Sequence, residues 1–533
     1  MANSQNEFEL DERGSSRSSE DFYVDDADFE TQGLTSNSYS NPPSPALFQP
    51  LLNLLPPRIT KLFSRYISWV RGRRRRRRSF LGCSILRGRR TGLVFNSVAG
   101  ITLILVAFTA VFQPSYTNPP AHYENLRRRV MSSDDYGRAN SDNQKIFIAA
   151  SIYDKGGRLV KGAWGRNVLE LLNLLGNRNT FLSIYENDSG QEARKELEKF
   201  QEEVQCNSQL VYEEHLSLED IPKITLPDGS DRIKRIAYLA EVRNKVLKPL
   251  EDSDVAYDKI LFLNDVIFNP VDAAQLLFST NANEHGKAIY HAACAVDFIN
   301  PFKFYDTFAT RDLEGFSMGV PFYPWFSDAG KGLSRQDVLD GKDAVRVKSC
   351  WGGMVAFDAT FLQAPILESA ARTVEQRNIL GSDDDEGDKE MEKSVDGKKW
   401  DSYHPIRFRA RSSLHREASE CCLIHADLIE ATRNETFQED TGIYQNPYIR
   451  VAYGSWTLWW LRFTRRFERL YTIPHNIINH QVGLPWPNDH RQGTKDGAGA
   501  DVGGYCEIEA LQLLRENPRK GEKNWESVPI PSE

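Results

Sequence analysis

Hydrophobic runs alternate with amphipathic stretches between residues 144 and 265 of this 533-residue chain. Apolar runs of the kind that form buried strands lie at 145–151, 181–185 and 259–264. Between them, apolar residues recur at helical spacing over 163–175, 191–204 and 231–247. This alternation predicts an α/β fold with a parallel, Rossmann-type sheet, in which ligands bind at the carboxyl ends of the strands. We therefore expect the functional site to include residues just after 150, 183 and 263.

The pattern becomes mixed after residue 270. It predicts one further helix at 273–278 and strands at 288–296, 345–357, 407–410 and 421–424. A highly charged insert over 381–399 is typical of a mobile loop. We assign 144–505 to one globular domain and 506–533 to a C-terminal tail.

The region before residue 144 is organised differently. Residues 1–57 are rich in Ser, Asn, Asp, Glu and Pro, which is typical of a disordered tail, and 58–91 form a basic juxtamembrane segment. Residues 92–112 carry no charge and as a helix would measure about 32 Å, which predicts a transmembrane span. Because the cations precede the span, the N-terminus is expected in the cytosol. The prediction is a single-pass type II membrane protein with a luminal stem at 113–143.

This topology predicts localisation in the Golgi or another membrane of the secretory pathway. Six of the seven cysteines would be luminal, where disulfides can form, although the sequence does not determine their pairing. The formal charge of -8 and the concentration of arginines before the span leave the main domain acidic. An acidic domain argues against nucleic-acid binding, which requires a basic face. Nothing in the sequence indicates an oligomeric state.

Asn264 and Asp265 end the apolar run at 259–264 and are the sharpest candidates for chemistry. A carboxylate at this position could bind Mg²⁺ or Mn²⁺ and, through the metal, a diphosphate. A simple turn or cap is the alternative interpretation. The D-x-D spacing of Asp252 and Asp254 is tidier, but it lies in a polar turn before the strand, so we treat it as a decoy.

Other candidates follow the same logic. Arg243, on the preceding helix, could bind a phosphate with two hydrogen bonds or pack on a base, with a surface ion pair as the alternative. Polar residues that end the first two strands could contact a ligand or belong to ordinary loops: Ser151, Tyr153, Tyr185 and Glu186.

Two late segments offer further candidates. Trp351, followed by Gly352 and Gly353, could form the wall of a sugar pocket, or a turn beside a core tryptophan. Three polar residues in 420–427 could supply a metal ligand or a catalytic carboxylate, although a lone histidine after an apolar run is more often structural: Glu420, His425 and Asp427.

Seven segments taken in chain order resemble one known family. They read I-F-I-A-A-S-I-Y-D, W-G-R-N-V-L-E-L-L-N-L-L-G, L-S-I-Y-E-N-D-S-G, L-A-E-V-R-N-K-V-L, K-I-L-F-L-N-D-V-I-F, S-C-W-G-G-M-V-A-F-D and S-E-C-C-L-I-H-A-D-L. The series, within 145–453, resembles the fungal alpha-1,3-mannosyltransferase family of the cryptococcal capsule-associated proteins, glycosyltransferase family 69. The resemblance implies a GT-A-like domain, a type II anchor, GDP-mannose as donor and a mannoside as acceptor.

The resemblance also implies roles for individual residues. Asp265 would be the metal ligand, here in the motif N-D-V in place of D-x-D, and Arg243 would contact the nucleotide-sugar. The two strand ends would hold the guanosine. The residues at 420–427 receive their roles from the sequence itself: Glu420 and Asp427 as catalytic carboxylates, and His425 as a second metal ligand. The implied reaction is transfer of mannose with retention of the alpha configuration. The alternative from a different class is a non-catalytic membrane protein for polysaccharide export or for scaffolding a glycosyltransferase complex.

Overall fold

The computed structural model of the protein describes most of the chain after residue 83. The described residues are 84–187, 189–213, 216–219, 221–363, 405–432, 440–485, 502–515 and 523–530. The predicted tail at 1–57, most of the basic segment at 58–91 and the charged insert at 381–399 lie outside them.

Helix α1, Ser84–Phe112, contains the predicted span at 92–112. In the described part of the chain, no helix is both long enough and apolar enough to cross a membrane.

The remainder of the described chain is built on a nine-stranded sheet with the order β3-β2-β1-β6-β10-β7-β12-β9-β8. The strands of the described chain are β1 Ile146–Ile152, β2 Thr180–Asn187, β3 Asn207–Glu213, β4 Lys223–Thr225, β5 Asp231–Ile233, β6 Lys259–Leu263, β7 Ala292–Phe298, β8 Arg311–Asp312, β9 Val345–Ser349, β10 Met354–Asp358, β11 Arg416–Ala418, β12 Ile443–Ala452, β13 Glu507–Glu509, β14 Gln512–Leu514 and β15 Trp525–Ser527. Those outside the nine-stranded sheet form the pairs β4–β5, β11–β13 and β14–β15. Strands β1, β2, β3 and β6 are parallel, and β10 is antiparallel to both β6 and β7. Since β12 is parallel to β7, six strands end at the same edge of the sheet.

Helices cover both faces of this sheet. The helices that follow α1 are α2 Tyr123–Ser132, α3 Ala163–Leu175, α4 Gln191–Glu203, α5 Arg235–Leu247, α6 Pro270–Ser279, α7 Leu333–Leu339, α8 Glu420–Ala431, α9 Ser455–Thr464 and α10 Thr472–Val482. In β1, Ile146 and Ile148 pack in the core with α3, α4 and α6, whereas Phe147 and Ala149 pack in the core with α5 and α8. Because successive side chains of a strand point to opposite faces, the apolar run at 145–151 supplies both cores. The predicted α/β fold with a sheet containing parallel strands is confirmed.

Two disulfides join elements that are distant in sequence: Cys294–Cys350 links β7 to the start of the β9–β10 turn, and Cys422–Cys506 links α8 to the C-terminal segment. Cys206 and Cys421 are buried and are not part of a disulfide. The segment predicted as a tail, 506–533, contains three short strands, of which β13 pairs with β11 and β14 pairs with β15.

Two predicted elements are wrong. Residues 421–424 form part of helix α8, because the Ser419 side chain accepts a hydrogen bond from the backbone N–H of Cys421 and so caps the helix N-terminus. The run at 407–410 forms no strand. The helix predicted from 231 begins only at Arg235, because 231–233 form strand β5.

Candidate active site

A cavity opens at the edge of the sheet where β6, β7 and β12 end. It encloses about 450 Å³, part of which is open to solvent. Its lining residues are Ile236, Leu239, Arg243, Asn264, Asp265, Tyr305, Asp306, Trp351, Ser419, Glu420, Cys421 and Tyr453. The structure therefore brings together five of the predicted site residues, separated by up to 177 positions in sequence: Arg243, Asn264, Asp265, Trp351 and Glu420.

Asp265 lies two residues beyond the end of β6, and its carboxylate faces this cavity. The residue is partly exposed, but its Oδ1 atom is buried and has no hydrogen-bond partner among the described residues. Burial raises the pKa of Asp265 to about 6, although the Arg243 guanidinium opposes this shift. A buried carboxylate oxygen without a partner is costly unless a ligand or an ion completes its coordination.

Arg243, on α5, is held by a carboxylate and by aromatic rings. Its Nε donates to Oε1 of Glu420 at 2.8 Å, and its Nη1 donates to Oδ1 of Asn264 at 3.4 Å. The guanidinium carbon lies 4.7 Å from the ring centroid of Trp351. Arg243 and Glu420 are both buried, so the pair is shielded from solvent. The surface ion pair considered from the sequence is therefore a buried one inside the cavity wall.

Asp297 and Asp306 form a pair of buried acids that the sequence predictions missed. The Asp306 backbone N–H donates to Oδ1 of Asp297 at 3.2 Å, and the Tyr453 hydroxyl donates to Oδ2 of Asp297 at 3.2 Å. Burial raises the pKa of Asp306 to about 6, and burial together with the Asp306 charge raises the pKa of Asp297 further. Two carboxylates in such surroundings do not both ionise easily, so the pair can hold a proton near neutral pH.

The sheet topology, and not the sequence alone, singles out Asp297. Asp297 is the penultimate residue of the apolar strand β7, in a position comparable to that of Asp265 after β6. Tyr453 follows the last residue of β12. The rule that ligands bind at the carboxyl ends of parallel strands would have selected both residues once β7 and β12 were known to be parallel to β6.

Gly352 and Gly353 shape the cavity through the backbone. A Cβ atom on Gly352 would lie 2.0 Å from the carbonyl oxygen of Ala295, and the residue has φ +61°. The Gly352 N–H donates to Oδ2 of Asp306 at 3.2 Å, while the Gly353 carbonyl accepts from the N–H of Asn264 at 2.9 Å. The glycines are thus required for packing against the sheet and for positioning Asn264 and Asp306. We had expected them to approach a sugar.

His425 and Asp427 do not line the cavity. Asp427 lies seven residues after Glu420 on α8, about 10 Å farther along the helix, and accepts two hydrogen bonds from Arg409 at 2.7 and 2.8 Å. His425 is fully buried, and its Nδ1 lies 2.7 Å from the carbonyl oxygen of Cys421. Burial lowers the pKa of His425 to about 4.

His425 also lacks suitable partners for metal binding. In the described residues, the only group of three ligand-type side chains is His425 with Cys294 and Cys350. Those two sulfur atoms are joined in a disulfide and cannot act as thiolate ligands. The structure therefore gives no support to His425 as a second metal ligand beside Asp265.

The candidates at the ends of β1 and β2 lie outside the residues that line the cavity. Ser151 and Glu186 are buried, and the Tyr185 hydroxyl donates to Glu213. Burial raises the pKa of Glu186 to about 7. One electrostatic link to the cavity exists, because the Asp154 charge helps to raise the pKa of both Glu186 and Asp265.

The donor set at the cavity fits a hard divalent cation. Asp265 and Asp306 present carboxylate oxygens, which Mg²⁺ and Mn²⁺ prefer. No three carboxylates of the described residues form a ready-made cage. A cation bound here would therefore take one or two carboxylates from the protein and complete its coordination with water and phosphate oxygens.

Comparison with known proteins gives one family match. The profile of the family described as cryptococcal mannosyltransferase 1 matches residues 145–427. No curated protein matches the chain. Among solved structures, the mannosyltransferase PcManGT from Pyrobaculum calidifontis, in complex with GDP-Man and Mn2+, is 10% identical to this chain, with a TM-score of 0.29. That alignment covers 68% of this chain and 75% of that chain.

Proposed function

This chain belongs to the cryptococcal mannosyltransferase 1 family, and from this membership we propose that it transfers mannose from GDP-mannose to a hydroxyl group of an α-mannoside. The predicted enzyme class, glycosyltransferase, is confirmed by the same match. The family match therefore does not favour the alternative of a non-catalytic component for polysaccharide export or for scaffolding.

The observation that carries the proposal is the meeting of Asp265 and Arg243 in one cavity at the carboxyl edge of the sheet. A sugar diphosphate has two requirements there: compensation of the phosphate charge, and a polar pocket that excludes most water. Arg243 supplies a buried cation, and the buried Oδ1 of Asp265 supplies an oxygen for a metal.

We propose that Asp265, with help from Asp306, would hold Mn²⁺ or Mg²⁺. The cation would supply neutralisation of the charge on the departing GDP, an effect worth several kcal/mol in comparable sites. Arg243, the cation of the ion pair with Glu420, would stabilise the same charge. In the motif N-D-V, Asn264 would serve as a positioning residue, since its side-chain oxygen accepts hydrogen bonds from Arg243 and Trp351.

The remaining groups would bind and orient the sugars. Trp351 and Tyr305 line the cavity and offer apolar faces to a mannose ring. Glu420, which also lines the cavity, would accept the proton of the acceptor hydroxyl, since Asp306 is assigned to the cation. We propose an α-1,3 linkage made with retention, because the donor is α-linked and the family resemblance implies an α product. A GT-A-like fold is supported by the parallel order β3-β2-β1-β6.

For the cellular location, we propose a secretory-pathway compartment such as the Golgi, in a fungal glycan pathway, with the domain in the lumen. The support is the pair of disulfides, Cys294–Cys350 and Cys422–Cys506, because disulfides persist in oxidising compartments. The type II anchor stays a prediction from the sequence.

The test is a transfer assay with the purified full chain, GDP-mannose, Mn²⁺ and mannobiose, followed by linkage analysis of the product. Asp265→Asn should lower turnover by at least about a hundredfold, since it removes the metal ligand. The matched control is Asp252→Asn, an exposed acid of the D-x-D motif in the turn before β6, which should leave turnover unchanged.

Calorimetric titration with GDP-mannose separates binding from chemistry. Wild-type turnover on mannobiose that persists in the Asp265→Asn variant would refute the role of Asp265. Absence of both turnover and GDP-mannose binding in the wild type would refute the proposed donor.

A further inference from the structure

Helix α9, Ser455–Thr464, places its largest apolar side chains on the outside of the protein. Trp456, Trp459, Trp460 and Phe463, which we call the aromatic patch, are exposed by 68, 44, 37 and 45%. The buried positions of the same helix are Thr457, Leu461 and Thr464. This polarity is the reverse of that of an ordinary surface helix, which buries its apolar face.

The aromatic patch is continuous. The rings of Trp456 and Trp459 are stacked 5.3 Å apart, and Trp460 lies 5.2 Å from Trp459. Phe463 lies 4.9 Å from Trp459 and 5.6 Å from Trp460. These contacts follow from the spacing i, i+3, i+4, i+7, which brings the four side chains to one side of the helix. A contiguous exposed apolar surface of this kind marks an interaction site.

The charges around the patch indicate the chemistry of the partner. Between residues 453 and 485 the sole acid is Glu468, which is buried and bound to Arg450 at 2.7 and 2.9 Å. Arg462 and Arg466 are exposed. In a chain with a formal charge of -8, this segment therefore exposes cations and no acid.

From this combination we propose that α9 lies on the surface of a lipid bilayer, with its arginines at the phosphates of the headgroups. Tryptophan prefers the boundary between headgroups and acyl chains, where its ring is apolar and its N–H can reach water. Arginines beside such a face can bind the phosphates of the lipid headgroups through paired hydrogen bonds. A polysaccharide is a weaker match, because recognition of sugar hydroxyls needs fixed acceptors, and the segment exposes no carboxylate.

Both ends of α9 are fixed by contacts within the domain. The Ser115 N–H donates to the carbonyl of Arg465 at 3.0 Å, and Nη1 of Arg465 donates to the carbonyl of Tyr116 at 3.1 Å. The C-terminal end of α9 is thus fastened to the point where the chain enters the domain. At the other end, Tyr453 lines the cavity two residues before α9 begins. The patch therefore lies between the chain entry and the cavity.

The test is hydroxyl-radical footprinting of the full chain, alone at low concentration and with vesicles of phosphatidylcholine and phosphatidylserine. We expect oxidation of the four patch residues to fall at least about fivefold with vesicles. Tyr136, exposed by 62% outside the patch, is the matched control and should be oxidised equally in both samples. The variant with Arg462→Glu and Arg466→Glu should lose most of the protection without unfolding, since both side chains are exposed.

Three results would overturn the proposal. The first is no protection by vesicles. The second is protection of the patch by an α-mannan oligosaccharide in place of vesicles, which would identify a carbohydrate surface. The third is protection that rises with protein concentration without lipid, which would identify a contact between two copies of this chain.

Discussion

Arg243 and Glu420 form a buried ion pair in the wall of the candidate site. Their side chains come from α5 and α8 and meet inside the cavity wall. Removing one partner of such a pair leaves an uncompensated buried charge, which costs much more than the net stabilisation by the pair itself. Stability and catalysis must therefore be measured separately for variants at these positions.

We expect Arg243→Leu to lower the free energy of unfolding by about 3–5 kcal/mol, because Glu420 loses its partner in a buried site. Replacing both residues by leucine should cost clearly less than the sum of the two single changes. The measurement is urea denaturation of the two single variants and the double variant. Additive losses would show that the two side chains do not interact in the folded protein.

A matched control is the ion pair between Arg409 and Asp427, which has similar distances but is partly exposed. Arg409→Leu should cost at most about 1 kcal/mol, because solvent screens an exposed pair. A loss as large as that of Arg243→Leu would contradict the role that we assign to burial.

Sequence reasoning located some residues and missed others for identifiable reasons. Asn264 and Asp265 were found because a polar pair abruptly ends an apolar run. Asp297 was missed because a single acid within a strand has no comparable local signal, and its meaning depends on which strands are parallel. His425 was misjudged because its environment is set by the disulfide beside it, which the sequence could not pair.

At the scale of elements, the turn between β9 and β10 is the tightest point of the site. It joins two strands that are not neighbours in the sheet, and it carries Trp351 into the cavity. The backbone of Gly352 packs directly on β7, so the turn cannot move without displacing Asp306.

Gly352→Ala should lower the free energy of unfolding by about 3 kcal/mol or more, because the new Cβ would overlap a backbone oxygen and the residue has a positive φ. The control is Gly286→Ala, where φ is +75° but no atom lies within 4 Å. That change should cost only about 1 kcal/mol. Thermal denaturation followed by circular dichroism measures both variants, and equal losses would contradict the steric explanation.

Elements with a clear periodicity of hydrophobic residues could be predicted from the sequence. Short elements flanked by polar residues could not. The strands β1, β2 and β6 and the helices α3, α4 and α5 have clear hydrophobic patterns, and the structure contains all six elements. The run at 421–424 is too short for its period to distinguish strand from helix. The Ser419 cap and the disulfide at Cys422, neither of which the pattern reveals, favour the helix.

At the scale of the whole molecule, buried titratable groups make stability depend on pH. His425 is neutral in the folded protein because burial lowers its pKa from 6.5 to about 4, whereas in the unfolded chain it titrates near 6.5. The unfolded state therefore binds more protons below pH 6.5. The contribution of neutral His425 to the free energy of unfolding is complete above pH 6.5 and is lost as the pH falls toward 4.

When the pH is lowered from 7 to 5, protonation of His425 in the unfolded chain should lower the free energy of unfolding by about 2 kcal/mol. His425→Leu should reduce the pH dependence by this amount, as measured by urea denaturation at several pH values. His285→Leu, at an exposed position, is the control and should leave the dependence unchanged. An unchanged slope in His425→Leu would show that other groups cause the acid sensitivity.

The bond between Cys422 and Cys506 has a practical consequence for anyone who prepares this protein. The disulfide attaches the C-terminal segment to the first turn of α8, and that turn carries Glu420. A truncation that removes Cys506 would therefore loosen the helix turn that places Glu420 in the cavity. Expression in a bacterial cytosol would leave this disulfide reduced. Affinity tags belong at the front end, and production requires an oxidising host compartment.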